Sequence, residues 1–227
     1  MAQHRKRRYV VIVLALIATA TCAAQQSTVE VEQPGQWSAA GVYLWPGETD
    51  IADAPAGTRV STVRSPSHTL ALKVTDDALA VIDASGKAAS KPLEIEDLAE
   101  VNWAPDSREF AVTQSDGGWV GTWTVTAYAV TPDGLHSYEL SKLVAAKFQA
   151  RKGGCAEIPN VGAGGWLGPG RLLVIAEAPP HSSCSDMGSI RGYEVAVEHA
   201  QILDEYDAPA LKSRFGRLLG RRFGSSP

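Results

Sequence analysis

With 227 residues, 44% of them apolar and 20% charged, the chain has the composition of an ordinary globular protein, long enough for one domain or two small ones around a sizeable core. Its formal charge of −4 becomes about −8 when the four cations Arg5, Lys6, Arg7 and Arg8 are set aside. Affinity for phosphate backbones rests on clustered Lys and Arg, so this acidic balance argues against nucleic acid as a partner.

The first element in chain order is an export signal over residues 1–24. The four cations stand directly ahead of an apolar run over residues 9–18, and the small-residue stretch Thr19-Ala20-Thr21-Cys22-Ala23-Ala24 follows. The run is shorter than the roughly 20 residues that cross a hydrocarbon core, which argues against a permanent span. Three endings are open: cleavage after Ala24, lipidation, or retention as an anchor. Thr19-Ala20-Thr21-Cys22 resembles a bacterial lipoprotein signal in which Cys22 would be acylated, although Leu is usual where Thr19 stands and a small Ala, Gly or Ser where Thr21 stands. Arg7-Arg8 ahead of apolar residues also resembles a twin-arginine signal. The mature protein is therefore expected to be periplasmic or secreted, with a membrane-tethered lipoprotein as the alternative. Residues 25–36 read as a flexible linker.

Beyond the linker a pattern recurs three times. Val63-Arg64-Ser65-Pro66 leads into Leu70-Ala71-Leu72, Asn102-Trp103-Ala104-Pro105-Asp106-Ser107 leads into Phe110-Ala111-Val112, and Gly165-Trp166-Leu167-Gly168-Pro169-Gly170 leads into Leu172-Leu173-Val174. Each predicts a short strand, a turn opened by Pro, whose fixed φ suits the first corner, and an alternating apolar strand. A second strand pair follows each turn, over residues 78–87, 124–134 and 192–203, and Asp133-Gly134 is the clearest hairpin signal. In the middle unit Val125, Ala127 and Ala129 share one face, and Thr124, Thr126 and Tyr128 the other. The expected fold class is all-β, antiparallel sheets over residues 37–207 with a short C-terminal helix.

The segment Trp103-Ala104-Pro105-Asp106-Ser107-Arg108-Glu109-Phe110-Ala111-Val112 resembles the TolB-type, WD40-like β-propeller repeat, in which a Trp-Ser-Pro-Asp-Gly-like turn precedes an apolar strand. The copy at Pro66 lacks the Trp and the acid, and the copy at Pro169 has Gly where Asp is expected. The resemblance covers about residues 58–206 and implies about three blades. Propellers close with four to eight blades, so it implies an open or partial propeller, or half of a ring completed by another copy.

The third unit is lengthened twice, around residues 142–165 and again around 179–188, and each excess holds one cysteine. With Cys22 in the signal, Cys155 and Cys184 form an even pair in a chain bound for an oxidising compartment, and they are expected to be joined. Closing a loop of about 30 residues is worth roughly 3 to 4 kcal/mol in the chain-entropy estimate. Free thiols are one alternative; a metal site from Cys155, His181, Cys184 and Asp186 is the sharper one, but it lacks a Cys-x-x-Cys pair and a second nearby histidine, so no metal is expected.

Enzyme signatures are missing from the sequence. It contains no Gly-x-Ser-x-Gly elbow, no phosphate-binding Gly-x-x-x-x-Gly-Lys and no His-Glu-x-x-His. The glycine-rich residues 162–170 miss the dinucleotide spacing and read as a loop entering a strand. His68, His136, His181 and His199 read as surface residues, and Asp76-Asp77 and Asp204-Glu205 as solvated carboxylate pairs. Asp116-Gly117-Gly118-Trp119 reads as a turn, or as a ligand face with an aromatic beside flexible backbone. No cofactor and no catalytic residue are expected.

The polarised segment is the C-terminal tail, residues 208–227. Lys212, Arg214, Arg217, Arg221 and Arg222 appear without an acid, while Leu211, Phe215, Leu218 and Leu219 recur at helical spacing, predicting a short amphipathic helix. Its apolar side is expected on the open β edge. Its basic side either meets solvent or contacts an anionic membrane or an acidic partner. The functional expectation is an exported, non-catalytic protein that binds a protein or ligand in the bacterial envelope, with a membrane contact only through Cys22 or the basic tail. A periplasmic accessory protein or small enzyme with an unrecognised active site is the alternative.

Overall fold

The computed structural model describes residues 35–44, 61–75, 77–118, 122–151 and 156–224, all within one compact unit, Glu32–Pro227. The signal, Cys22 and most of the linker lie outside the described residues. Among the described residues thirteen strands form three antiparallel sheets that do not close into a barrel. No described helix is long and apolar enough to cross a membrane.

The N-terminal strand β1 (Val42–Tyr43) joins the second sheet, and the first sheet is a meander of β2 (Thr62–Arg64), β3 (Leu70–Val74), β4 (Ala78–Asp83) and β5 (Leu93–Glu94). The second sheet places β1 beside β6 (Leu98–Trp103), which continues through β7 (Glu109–Ser115), β8 (Thr124–Thr131) and β9 (Gly134–Glu139). Helix α1 (Ser141–Gln149) leads to the third sheet, β10 (Asn160–Gly168), β11 (Arg171–Glu177), β12 (Ile190–Ala196) and β13 (Gln201–Tyr206). Helix α2 (Ala208–Phe215) and two 3-10 turns, Gly216–Leu218 and Arg221–Phe223, end the fold.

The three Pro-led segments occupy the same junction, between the first and second strands of each meander. Ser65 and Ala104 carbonyls accept from the amides of His68 and Ser107, which hold φ values of 58° and 65°. The Pro169-Gly170 turn is shorter, and Gly170 takes the left-handed position with φ 66°. A side chain in that region costs about 1 kcal/mol or more, so Gly170 sits there at less cost than His68 or Ser107.

Alternation along the strands buries the faces between sheets. Val63, Leu72, Leu79 and Val81 of the first sheet pack on Val101, Trp103, Phe110 and Val112 of the second. The other face of the second sheet, with Ala111, Val125 and Ala127, packs on Val161, Leu172, Val174, Tyr193 and Val195 of the third. The predicted faces of residues 124–129 hold: Val125, Ala127 and Ala129 are buried, and Thr124, Thr126 and Tyr128 are not.

Four expectations need correction. Helix α1 was not anticipated; it falls in the first excess segment and buries Val144 and Phe148 beside Leu140 in the core between the second and third sheets. Residues 162–168 are the body of β10 rather than a loop, because a Cβ at Gly162 would overlap the Trp37 ring and one at Gly164 would meet Ile175. The basic tail is not one helix, since α2 gives way to a 3-10 turn at Gly216 and backbone closes on Gly220. It lies on a sheet face rather than an edge: Leu211 and Phe223 are buried with Leu173, Ile175 and Trp37 on the outer side of the third sheet.

Candidate functional site

The most elaborate polar arrangement surrounds Glu100, a residue the sequence reading passed over. Strand β6 is apolar except for Glu100 and Asn102, which share a face by the two-residue period and stand opposite Thr113 and Ala111 of β7. That face is covered, and Glu100 is only 2% exposed. Its carboxylate accepts from three consecutive amides of the N-terminal segment, those of Gln36, Trp37 and Ser38, at 2.5, 3.0 and 2.9 Å. Gly35 and Gly41 permit this approach, because a Cβ at either would overlap the carboxylate. Asn102 Nδ2 donates to Ser38 Oγ at 2.7 Å, and Trp166 Nε1 donates to the Asn102 carbonyl at 3.0 Å.

The carbonyl side of the same segment is held by the other end of the chain. Gly220, Arg221 and Arg222 amides donate to the carbonyls of Trp37, Gly35 and Gln36 at 2.9, 3.0 and 3.0 Å, and the Ala39 amide donates to Leu218 O at 2.9 Å. A buried segment outside the sheets would leave its backbone polar groups unsatisfied, and here Glu100 and the tail satisfy both sides. Arg222 completes the contact: its Nε lies 2.9 Å from Glu177 Oε2, and its guanidinium sits 5.0 Å from the Trp37 ring centroid. Asn160 Nδ2 shares Glu177 Oε2 at 3.2 Å.

Burial pushes the Glu100 carboxyl up to about 7, against the three amide donors and the positive charge of Arg221, which pull it down. With both oxygens engaged and water excluded, this carboxyl is arranged to hold two chain segments rather than to exchange protons with a substrate. Glu109 is similarly held above the usual carboxylate range by burial, while it accepts from the Gly170 amide at 2.6 Å. Glu194 is engaged by Arg171 Nε at 2.7 Å and by the Tyr206 hydroxyl at 3.3 Å.

The residues singled out from sequence do not converge on one place. Cys184 is disulfide-bonded, while Cys155 and Cys22, the other two cysteines, both lie outside the described residues. The two excess segments do meet: Ser183 donates through its amide and hydroxyl to Glu157 Oε1 at 3.0 and 2.6 Å, and Arg151 pairs with Asp186 at 3.4 Å. Among the described residues no three His, Cys, Asp or Glu side chains form a metal-holding group. His68, His136, His181 and His199 are exposed.

Asp77 and Asp204 are exposed, and Asp76 lies outside the described residues. Glu205 departs from a solvated reading: it pairs with Arg191 at 2.9 Å and Lys147 at 3.6 Å, joining β12 and β13 to α1. Asp116 Oδ1 accepts from the Gly118 amide at 2.8 Å, a turn closed by its own side chain, and Trp119 lies outside the described residues.

The clasp escaped sequence reading because its parts come from residues 35–39, 100–102 and 218–222, and neither spacing nor period links them. One signal was present. Glu100 and Asn102 are polar residues of one face in a strand that is otherwise fully apolar, so that face needed a polar neighbour. Comparison with protein-family models, with curated proteins and with solved structures returns no match.

Proposed function

We propose that the chain is an exported, non-catalytic protein of the bacterial envelope, built of three TolB-like blades in an open propeller, which binds a protein partner through its loops and sheet edges. The observation that carries this reading is the recurrence of the Pro-led turn at the same junction of three four-strand meanders, with matching hydrogen bonds at Ser65 and Ala104. Openness is supported by the tail, which covers the sheet face that a fourth blade would need. The non-catalytic reading is supported by the buried carboxylates Glu100, Glu109, Glu177 and Glu194, each engaged by a backbone amide or an arginine of the fold. Export follows from the basic cluster, apolar run and small-residue stretch of residues 1–24.

Two measurements test it. Fractionation of expressing cells, with protease added to spheroplasts, should find a shortened chain outside the inner membrane, and its mass should show whether it begins at Cys22 or after Ala24. Photo-crosslinkers placed at exposed Ser67, Asp106 and Ser137 should capture one discrete envelope protein. A full-length cytosolic chain, or diffuse crosslinking from every position, contradicts the proposal.

A further inference from the structure

We propose that the exposed basic face of the C-terminal tail rests on an anionic phospholipid surface and that the N-terminal segment enters the fold at that same face. The apolar side of the tail is fully engaged. Leu211 and Phe223 are buried in the outer core of the third sheet, and Phe215 meets Tyr206 edge-on at 5.0 Å. The cations divide sharply. Arg222 turns inward to Glu177, whereas Lys212, Arg214, Arg217 and Arg221 are exposed, and none of these four lies within ion-pair distance of a carboxylate among the described residues. Arg214 stacks over Tyr206 at 4.7 Å and is near enough to Asp204 to help lower that carboxyl, so Lys212, Arg217 and Arg221 carry the face.

No acid occurs in residues 208–224, in a chain whose remainder is strongly acidic. Such a one-sided face attracts an anionic surface over about a Debye length, roughly 8 Å at physiological salt. The tail also lacks the anchor residues of a protein interface: the exposed large apolar side chains among the described residues are Ile158, Met187 and Leu203, all elsewhere. A spread of cations without an apolar anchor suits lipid headgroups better than a shaped protein pocket.

The second observation is the entry point. Residues 35–39 are hydrogen-bonded directly to residues 218–222, so the chain arriving from its N-terminal segment reaches the fold beside Arg221. Gly35 stands thirteen residues beyond Cys22, a covalent reach of roughly 45 Å at most. The point where the chain enters the described fold therefore lies beside the basic tail, and an attachment upstream of Gly35 would reinforce the attraction. The inference rests on the export reading for its biological setting, but its physical content is separable.

All three sheets, both helices and the clasp lie within Glu32–Pro227, which has its own cores, so this unit is the one to assay. Its binding is measured on vesicles of phosphatidylcholine alone and of phosphatidylcholine mixed with phosphatidylglycerol. Binding should require the anionic lipid, disappear at high salt, and weaken on the order of 100-fold when Lys212, Arg217 and Arg221 are changed together to Gln. A control with Lys73, Lys87 and Lys91 changed to Gln removes the same charge and should bind as the parent does. If the triple tail variant fails to fold, as judged by its thermal melt, Lys212→Gln with Arg217→Gln leaves the Arg221 neighbour of Glu100 intact and should still lose at least about tenfold. Unchanged binding by the tail variants, an equal loss in the control, or tighter binding to polyglutamate than to the anionic vesicles overturns the proposal. A cytosolic location in cell fractionation, with vesicle binding intact, would instead count against the export reading alone.

Discussion

The two outer faces of the sheet stack are finished in different ways. On the third sheet the outward face is apolar, with Leu173 and Ile175, and it is covered by Trp37 from one end of the chain and by Leu211 and Phe223 from the other. On the first sheet the corresponding positions are Thr62, Arg64, Lys73 and small residues such as Ala71 and Ala80. One end is closed by long-range contacts between distant segments, the other by residues that sit beside each other in adjacent strands. Stability tied to the first end should depend on the whole chain, and stability tied to the second only on local choices.

The comparison breaks most directly at Glu100. Glu100→Ala leaves three adjacent buried amides without an acceptor and should destabilise the protein by about 3 to 5 kcal/mol, measured by urea unfolding. A loss below about 1 kcal/mol would mean that the N-terminal segment contributes little to closing that end. Leu211→Ala empties a fully buried site against Gly192 and should cost about 2 to 5 kcal/mol in the same assay.

The pH dependence sharpens the point. The Glu100 carboxyl stands near 7 in the fold against an ordinary value of 4.5, so the folded state binds its proton more tightly than the unfolded one. Its contribution is complete below about pH 4.5 and is lost as pH rises through about 7, a loss of up to about 3 kcal/mol. Melts between pH 5 and 8 should show stability falling over this window, and Glu100→Gln should flatten most of the fall. Glu109, also held up by burial, leaves a smaller slope of the same sign. The smallest effect belongs to the other end, where Lys73→Thr on the outer face of the first sheet should change stability by no more than about 0.5 kcal/mol.

What was legible in the sequence follows the same division. The meanders could be read because alternation and turn chemistry act between neighbours: Val125, Ala127 and Ala129 mark their own inward face, and Pro66, Pro105 and Pro169 mark their own turns. The glycines of β10 were misleading because their small size answers to neighbours elsewhere, Gly162 to Trp37, more than a hundred residues away, and Gly164 to Ile175 on the adjacent strand. Helix α1 was hidden by length, since nine residues in which Val144 and Phe148 follow the preceding Leu140 at four-residue steps resemble strand filler unless that period is sought. The clasp depended on residues 35–39 meeting residues 218–222, and no local pattern records that.

The pairing of residues 35–39 with residues 218–222 has a consequence for biosynthesis. The first described segment of the fold cannot complete its hydrogen bonds until residues 218–222 have been made. A chain broken off before Gly220 would present three bare carbonyls and an uncovered Trp37, the features by which proteases and chaperones recognise unfinished work. The fold therefore carries a test of its own synthesis: only a chain that reaches residue 222 hides residues 35–39.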